Sequence, residues 1–356
     1  MSRTSIVVGH EDLRRFIRDV IVAHGARAAD AAIVADGLVW ANLRGGDGHG
    51  VSRLPRYLKI IERGEIDPKA KPRLVSDRAA TFVLDSGHGF GPAAAMQAAA
   101  LAIERAKNFG VCLGHVRETT HTGAIGRYAQ WIAERGCAAV VIGVGPALMA
   151  YYGARLPSMA TSPIAIAVPS GQGAIVLDMA TSIISNGKLQ QARASGEPLP
   201  PGTALTAQGE PTTDPGEAEI LLPLGGPKGS GLALMFEMLA SVLPGAPIQS
   251  RALGPEGRRR HVGNLAIFAI DIAGFRPPSD FIRDADALVA ILKELPRQDG
   301  FDEIMLPGER SKRTEDLRKK FGIPLPRKLW EELQAIASAH AIRMPAQLSA
   351  SARQRR

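Results

Sequence analysis

Between residues 79 and 144 the chain alternates strand-like and helix-like segments, and beyond about residue 145 that alternation stops. ATFVLDS reads as a strand, AAAMQAAALAIERAKNFG as a helix, VCLGHV as a strand, GAIGRYAQWIAERG as a helix and AAVVIGV as a strand. Short β segments follow instead of further βα units. SPIAIAVPS and GAIVLDMA read as consecutive strands around a Ser-Gly-Gln-Gly turn. A chain that abandons the alternation this early cannot build a doubly wound parallel sheet.

The first strand–helix–strand unit nevertheless copies the layout of a dinucleotide-binding fold. GHGFGP sits between strand and helix, and Glu118 closes the following strand. The third glycine position holds Pro92, and a prolyl ring cannot replace the missing side chain that lets helix and strand pack closely. Pro92 suits the first turn of a helix, so Gly87, Gly89 and Gly91 shape a tight entry rather than a pyrophosphate cradle.

Both ends of the chain are helical. Leu13, Phe16, Ile17, Val20 and Ile21 form one apolar stripe. Ile33, Val34, Leu38 and Val39 mark a second helix, and Leu54, Tyr57, Leu58 and Ile61 a third. ADALVAILKEL, RTEDLRKKFG and RKLWEELQAIASAHA are helices near the other end, where the last dozen residues are polar and expected to fray. We expect a helical domain from residues 1–75 with 285–345, a β-rich domain over 76–284, and a disordered polar tail over 346–356. Two lobes suit 356 residues, more than one core usually absorbs.

Composition narrows the function. At 45% hydrophobic and 22% charged, the chain is an ordinary globular one. Lys plus Arg total 43 against 35 for Asp plus Glu, a net charge of +8 that favours small anions. The densest basic runs are Arg258–Arg260 and Arg353–Arg356. With aromatics at 5%, no base-stacking platform is expected, and no nucleic-acid partner. Cys112 and Cys137 lack metal-ligand spacing and read as buried reduced thiols. The long uncharged stretches at 136–154 and 156–177 are broken by Gly and Pro, so no membrane span is expected. MSRTSIVVGHEDLRRF lacks the pattern of a signal peptide, and a cytoplasmic location is expected.

Four segments carry chemistry. In DGHG, His49 lies between glycines, with Asp47 before it and Arg53 after it. An imidazole exchanges protons near neutrality, and a guanidinium grips a carboxylate with two parallel bonds. A satisfied loop histidine would look the same. His121 in ETTHTGAIGRYA sits between strand and helix, as an anion contact or a polar cap. His115 lies within an apolar strand and is expected in the core, while His10, His24, His88, His261 and His340 have no supporting neighbours. DMATS at 178–182 ends a strand with an acid and small hydroxyl residues, a common turn by itself. GGPKGSGLAL opens a helix with Lys228 in a glycine-rich loop, able to cradle a phosphate but without Walker A spacing. No histidine pair has the spacing of a zinc site, so no metal is expected.

Together ANLRGGDGHGVSRLPRY, HTGAIGRYA, TSPIAIAVP, VLDMATSIISNGKL, PLPPGTALTAQGEPTTDP, GGPKGSGLALMFEMLASVLPGA and LPGERSKRTEDLRKKFGIPL resemble the malate/L-lactate dehydrogenase family, which is unrelated to the Rossmann lactate and malate dehydrogenases. The resemblance implies an α/β (α+β) protein with a non-Rossmann NAD(P)-binding domain on a mixed, largely antiparallel sheet, plus a helical domain from both chain ends. It implies a homodimeric oxidoreductase using NAD or NADP on small 2-oxo or 2-hydroxy carboxylic acids. Some relatives reduce cyclic imino acids such as piperideine-2-carboxylate or pyrroline-2-carboxylate. A third reading is a cofactor-binding protein without turnover.

Carried over by position, His49 matches the active-site histidine, acting as an imidazolium that donates a proton to the substrate oxygen. Arg53 matches the carboxylate-pairing residue and His121 a second pocket histidine. Asp178 would orient an imidazole or the nicotinamide, and Asp178, Met179, Ala180, Thr181, Ser182, Lys228, Gly229, Gly308 and Glu309 match cofactor-contacting segments. This chain departs from the pattern at Gly48 (usually Ser), Thr120 (usually Asn), Thr122 (usually aromatic), Ser162 (usually Asn) and Tyr151 (usually Pro).

Overall fold

In a computed structural model, residues 5–248 and 263–348 are described; Arg258–Arg260, His261 and Arg353–Arg356 lie outside them. Strand β1 (Ser5–Val8) leads into helices α1 (His10–Ala23), α2 (Ala28–Leu43) and α3 (Leu54–Glu62). Then follow β2 (Arg73–Arg78), β3 (Thr81–Asp85), α4 (Gly91–Phe109), β4 (Val111–Thr119), α5 (Gly126–Ala133) and β5 (Cys137–Val144). The middle continues with β6 (Met149–Ala150), β7 (Pro157–Met159), β8 (Ile164–Val168), β9 (Ile175–Met179) and α6 (Asn186–Ser195). Next come β10 (Ala204–Leu205), β11 (Pro211–Thr212), β12 (Ile220–Leu221), α7 (Pro227–Glu237) and β13 (Gly263–Asp271). Helices α8 (Pro278–Glu294) and α9 (Glu309–Phe321), strand β14 (Ile323–Pro326) and helix α10 (Arg327–Ala339) complete the chain.

The apolar stripe of α1 is buried throughout: Leu13, Phe16, Ile17, Val20 and Ile21 are at most 2% exposed. Each such side chain contributes roughly 2 kcal/mol of transfer free energy, so burial rather than helix propensity holds α1 in place. Its partners come from both ends of the chain. One core joins Val34, Leu38, Leu54 and Tyr57 to Ile323, Leu325, Trp330 and Leu333. β1 pairs antiparallel with β14, placing Val8 opposite Ile323. The described chain continues in order past residue 346, where Gln347 bridges Val8 and the Leu348 N–H donates to the Val7 carbonyl. α8 stands apart and buries no side chain; Asp286 on it accepts from the Gly171 N–H.

The large sheet has the order β2-β3-β4-β13-β5-β8-β9. Only β3 and β4 run parallel; its other neighbours are antiparallel. This is the mixed, largely antiparallel sheet expected from the resemblance. β8 and β9 form a hairpin whose turn spans Ser170 to Gly173, where Gly173 takes φ +104°. The β3–α4–β4 unit does exist, but its helix start is closed. The Gly91 N–H donates to Thr120 Oγ1, and a Cβ on Gly91 would lie 2.5 Å from the His121 carbonyl oxygen. Backbone, not ligand, occupies the place where a Rossmann pyrophosphate would sit. Glu118, the apparent ribose-reading acid, faces His88 instead at 3.3 Å. Cys112 and Cys137 are free and buried, as expected, and His115 is 5% exposed within β4. Among the described residues no helix is long and apolar enough to cross a membrane.

Candidate active site

The DGHG segment forms a short 3-10 turn, Asp47–His49, followed by a second, Val51–Arg53. Buried Asn42 ties them down: its Nδ2 donates to Asp47 Oδ1 at 2.6 Å, and its Oδ1 accepts from the Val51 N–H at 2.8 Å. The intervening residue must be glycine, because a Cβ on Gly50 would sit 2.3 Å from Asn42 Oδ1. Asp47 is gripped from the other side by the Arg318 guanidinium, at 2.7 and 3.0 Å. Asp47 thus anchors the loop to α9 rather than serving His49. Arg53 is anchored through Nε, which donates to the Gly48 carbonyl at 2.5 Å.

This scaffold brings His49 against His121. The two rings are parallel within 2°, with His49 Nδ1 3.2 Å from His121 Nε2. His121 Nδ1 lies 2.7 Å from Tyr57 Oη. The His121 loop is clamped by Thr120, whose hydroxyl donates to the Gly89 carbonyl at 3.0 Å, and by Tyr128, whose hydroxyl donates to the Thr122 carbonyl. Burial lowers the His49 pKa to about 4, and the Arg53 charge lowers it further. The resting ring is therefore neutral at pH 7. Burial raises the Tyr57 pKa, so the phenol keeps its proton.

Asp178, Met179 and Ala180 line the same cleft at the end of β9. The Gly126 N–H, at the start of α5, donates to Asp178 Oδ2 at 3.0 Å. Asp178 is open to the cleft but walled by protein elsewhere. That partial burial raises its pKa to about 6, against the opposing pull of the Gly126 amide and of Arg44.

Beyond Ala180 the DMATS segment turns back into the protein. Thr181 Oγ1 donates to the Thr161 carbonyl and Ser182 Oγ to the Ile184 carbonyl, and both residues are buried. Gly229 packs behind that turn, where a Cβ would approach the Thr181 oxygen to 2.5 Å. Lys228 flanks Gly225 and does not line the cleft. Gly308, at φ +86°, does line it, with β9 directly behind. Glu309 instead braces its own loop, accepting from the Leu306 N–H and from Lys293. His49, Arg53, His121, Asp178, Met179, Ala180 and Gly308 thus share one cleft; Thr181, Ser182, Lys228, Gly229 and Glu309 are behind or beside it.

The cleft measures about 1080 Å³. Six cationic side chains line it, namely Arg44, Arg53, Arg56, Lys188, Arg310 and Arg318, against the carboxylates of Asp47 and Asp178. Sequence reasoning found only Arg53 among the six. Arg44 and Arg56 stand within the same glycine-rich segment and its helix, but nothing local shows which way they point. Among the described residues, no group of three His, Cys, Asp or Glu could hold a metal ion.

Comparison with known proteins identifies the family. Residues 8–334 match the family model described as malate/L-lactate dehydrogenase. The chain belongs to that family. It is 35% identical over 338 residues to the L-sulfolactate dehydrogenase of Methanocaldococcus jannaschii, covering 94% of this chain and 97% of that protein. It is 32% identical over 326 residues to a Delta(1)-pyrroline-2-carboxylate reductase of Ancylobacter novellus, covering 90% and 94%. The crystal structure of malate dehydrogenase from Entamoeba histolytica superposes with a TM-score of 0.91 at 28% identity, covering 96% of this chain and all of that one. The chain is accordingly an oxidoreductase of the malate, sulfolactate and lactate dehydrogenase type, with imino acid reductases among its relatives. Two family departures acquire physical meaning. Ser162 adopts φ +27°, a region that asparagine tolerates better than serine. Gly48 meets α6 so closely that a Cβ would lie 2.9 Å from the Gly187 Cα.

Proposed function

We propose that this protein transfers hydride between a nicotinamide dinucleotide, NAD or NADP, and a small 2-oxo/2-hydroxy carboxylic acid, with His49 as general acid/base and Arg53 holding the carboxylate. The observation that carries this reading is the pairing of His49 with Arg53 in one cleft. Arg53 is immobilised through Nε, and among the described residues both terminal nitrogens are left for a carboxylate. Bidentate pairing there would present one face of the neighbouring carbonyl carbon and save orientational entropy.

The residues present fit a dinucleotide. The cleft is larger than the roughly 300–1,000 Å³ of ordinary small-ligand sites. Lys188 and Arg310 lack carboxylate partners among the described residues, and the amides at the start of α9, beside Gly308, favour phosphate. A bound nicotinamide would supply or accept the hydride. Everything else falls to the chain. His49 moves one proton to or from the substrate oxygen, and Asp178, which lines the same cleft, orients polar groups against β9. His121 supports His49 or contacts a distal substrate group. Because the ring rests neutral, in the reducing direction it would take up a proton from solvent as a bound carboxylate raises its proton affinity, and give that proton to the oxygen where negative charge grows.

We place the protein in the cytoplasm and assign it a homodimer. The second copy is supported by the exposed Leu288, Ile291 and Leu295 of the α8 segment. A second reading, reduction of the C=N bond of a cyclic imino acid, is favoured by the similarity to a pyrroline-2-carboxylate reductase. Oxidation of NADH and NADPH should be followed with 2-oxo acids and with piperideine-2-carboxylate. Turnover of 2-oxo acids supports the first reading, a clear preference for the imine transfers the assignment to the second, and no turnover with any of them defeats both.

A further inference from the structure

Tyr57 is among the largest fully buried side chains, on the inner face of α3, yet its hydroxyl reaches out of the core to a single hydrogen-bond partner among the described residues. That partner, His121 Nδ1 at 2.7 Å, begins a chain that runs on through His121 Nε2 to His49 Nδ1 at 3.2 Å. The two ring planes are parallel within 2°, and the 3.2 Å separation is that of a nitrogen–nitrogen hydrogen bond.

Direction follows from satisfying each donor. A buried phenol O–H without an acceptor costs about 1–3 kcal/mol, and the one acceptor on offer is His121 Nδ1. An imidazole nitrogen that accepts cannot carry the proton, so neutral His121 is protonated on Nε2. That N–H points at His49 Nδ1, which must then accept. The proton of neutral His49 is left on Nε2, the ring nitrogen not engaged by His121. We propose that Tyr57 is a positioning residue that acts through His121 to fix the tautomer of His49, so that the resting ring presents an N–H donor to the substrate.

This deepens the acid/base reading of His49 and rests on it. The donor form matches a carbonyl oxygen or an imine nitrogen, both acceptors. Serving instead as a base toward a hydroxyl, His49 would need the chain reversed: His49 Nδ1–H donating to His121 Nε2, His121 Nδ1–H donating to Tyr57 Oη, and the phenol proton rotated away. Such a reversal conserves every proton and charges no group. It strands the buried phenol hydrogen, which is why the chain rests in the first sense.

The test is nitrogen NMR of the full-length protein labelled with 15N-histidine, with the two rings assigned by their loss in His49→Gln and His121→Gln. In the wild type both rings should show the Nε2–H tautomer. Tyr57→Phe, which keeps the ring and removes the hydroxyl, should give mixed tautomers at both. Its single-turnover rate of reduction should fall by about tenfold, with the substrate KM and the cofactor Kd within about twofold. His49 protonated on Nδ1 in the wild type, or unchanged tautomers in Tyr57→Phe, would overturn the proposal. The wild-type spectrum needs neither a variant nor a substrate, so it reads the hydrogen-bond chain even if the acid/base assignment itself fails.

Discussion

Replacing Arg53 by methionine separates two jobs that the structure gives one guanidinium. Its Nε holds the Gly48 carbonyl, and its charge faces His49. A carboxylate held by the two remaining nitrogens gains two charge-assisted bonds. Hydrogen bonds to charged groups contribute about 1.5–3 kcal/mol each, so the loss is about 3 kcal/mol or more, roughly a 150-fold fall in kcat/KM. The fall should appear as a raised KM for 2-oxo acids, while the corresponding 2-oxo amides, bound weakly by both proteins, change little. A second consequence has a definite sign. The Arg53 charge depresses the His49 pKa, so its removal must raise that pKa. The limb of the kcat/KM profile that His49 sets should therefore move to higher pH in Arg53→Met. Steady-state kinetics with acid and amide, from pH 4 to 8, measure both effects. Equal losses for acid and amide, with an unmoved His49 limb, would show that Arg53 only props up the loop.

Three further outcomes follow from individual contacts. Gly48→Ala places a Cβ 2.9 Å from the Gly187 backbone, so α6 must shift at a cost of roughly 1–3 kcal/mol. Lys188 and Gln191 line the cleft from that helix, so a lower melting temperature and an altered KM should appear together; neither changing would refute the close approach. Gly229→Ala should destabilise through the Thr181 oxygen, and cofactor affinity should fall only as far as that turn is displaced; direct titration of NADPH against thermal denaturation tests the link. His115 is buried, and burial lowers its pKa to about 4. The unfolded chain takes up that proton below about pH 6.5 and the folded one does not. Stability is therefore fully present above pH 6.5 and is lost as pH falls toward 4, by about 3 kcal/mol from this residue. His115→Leu should flatten the melting temperature between pH 6.5 and 4, and an unchanged slope would refute the linkage.

What was legible in the sequence was whatever a local pattern encodes. The stripe of α1, the β8–β9 hairpin and the Pro92 objection to a Rossmann site each depend on a few adjacent residues, and each matches the structure. His49 and Arg53 were legible for the same reason, being four residues apart in a glycine-rich turn. Lys228 shows the limit. A glycine-rich loop opening a helix reads as an anion cradle, but Gly229 is required there by the Thr181 carbonyl, contributed from far away in the chain. Tyr57 shows another. Periodicity assigned its ring to the core correctly, and no periodic signal reports that its hydroxyl leaves the core to meet His121.

The proposed chemistry depends most on His49 exchanging a proton with the atom next to the carbon that receives hydride. Single-turnover oxidation of NADH or NADPH with the best 2-oxo acid, compared between the wild type and His49→Ala, tests this directly. A rate at least about a hundredfold lower is expected in the variant, with cofactor affinity preserved. Equal rates in the two proteins would contradict it.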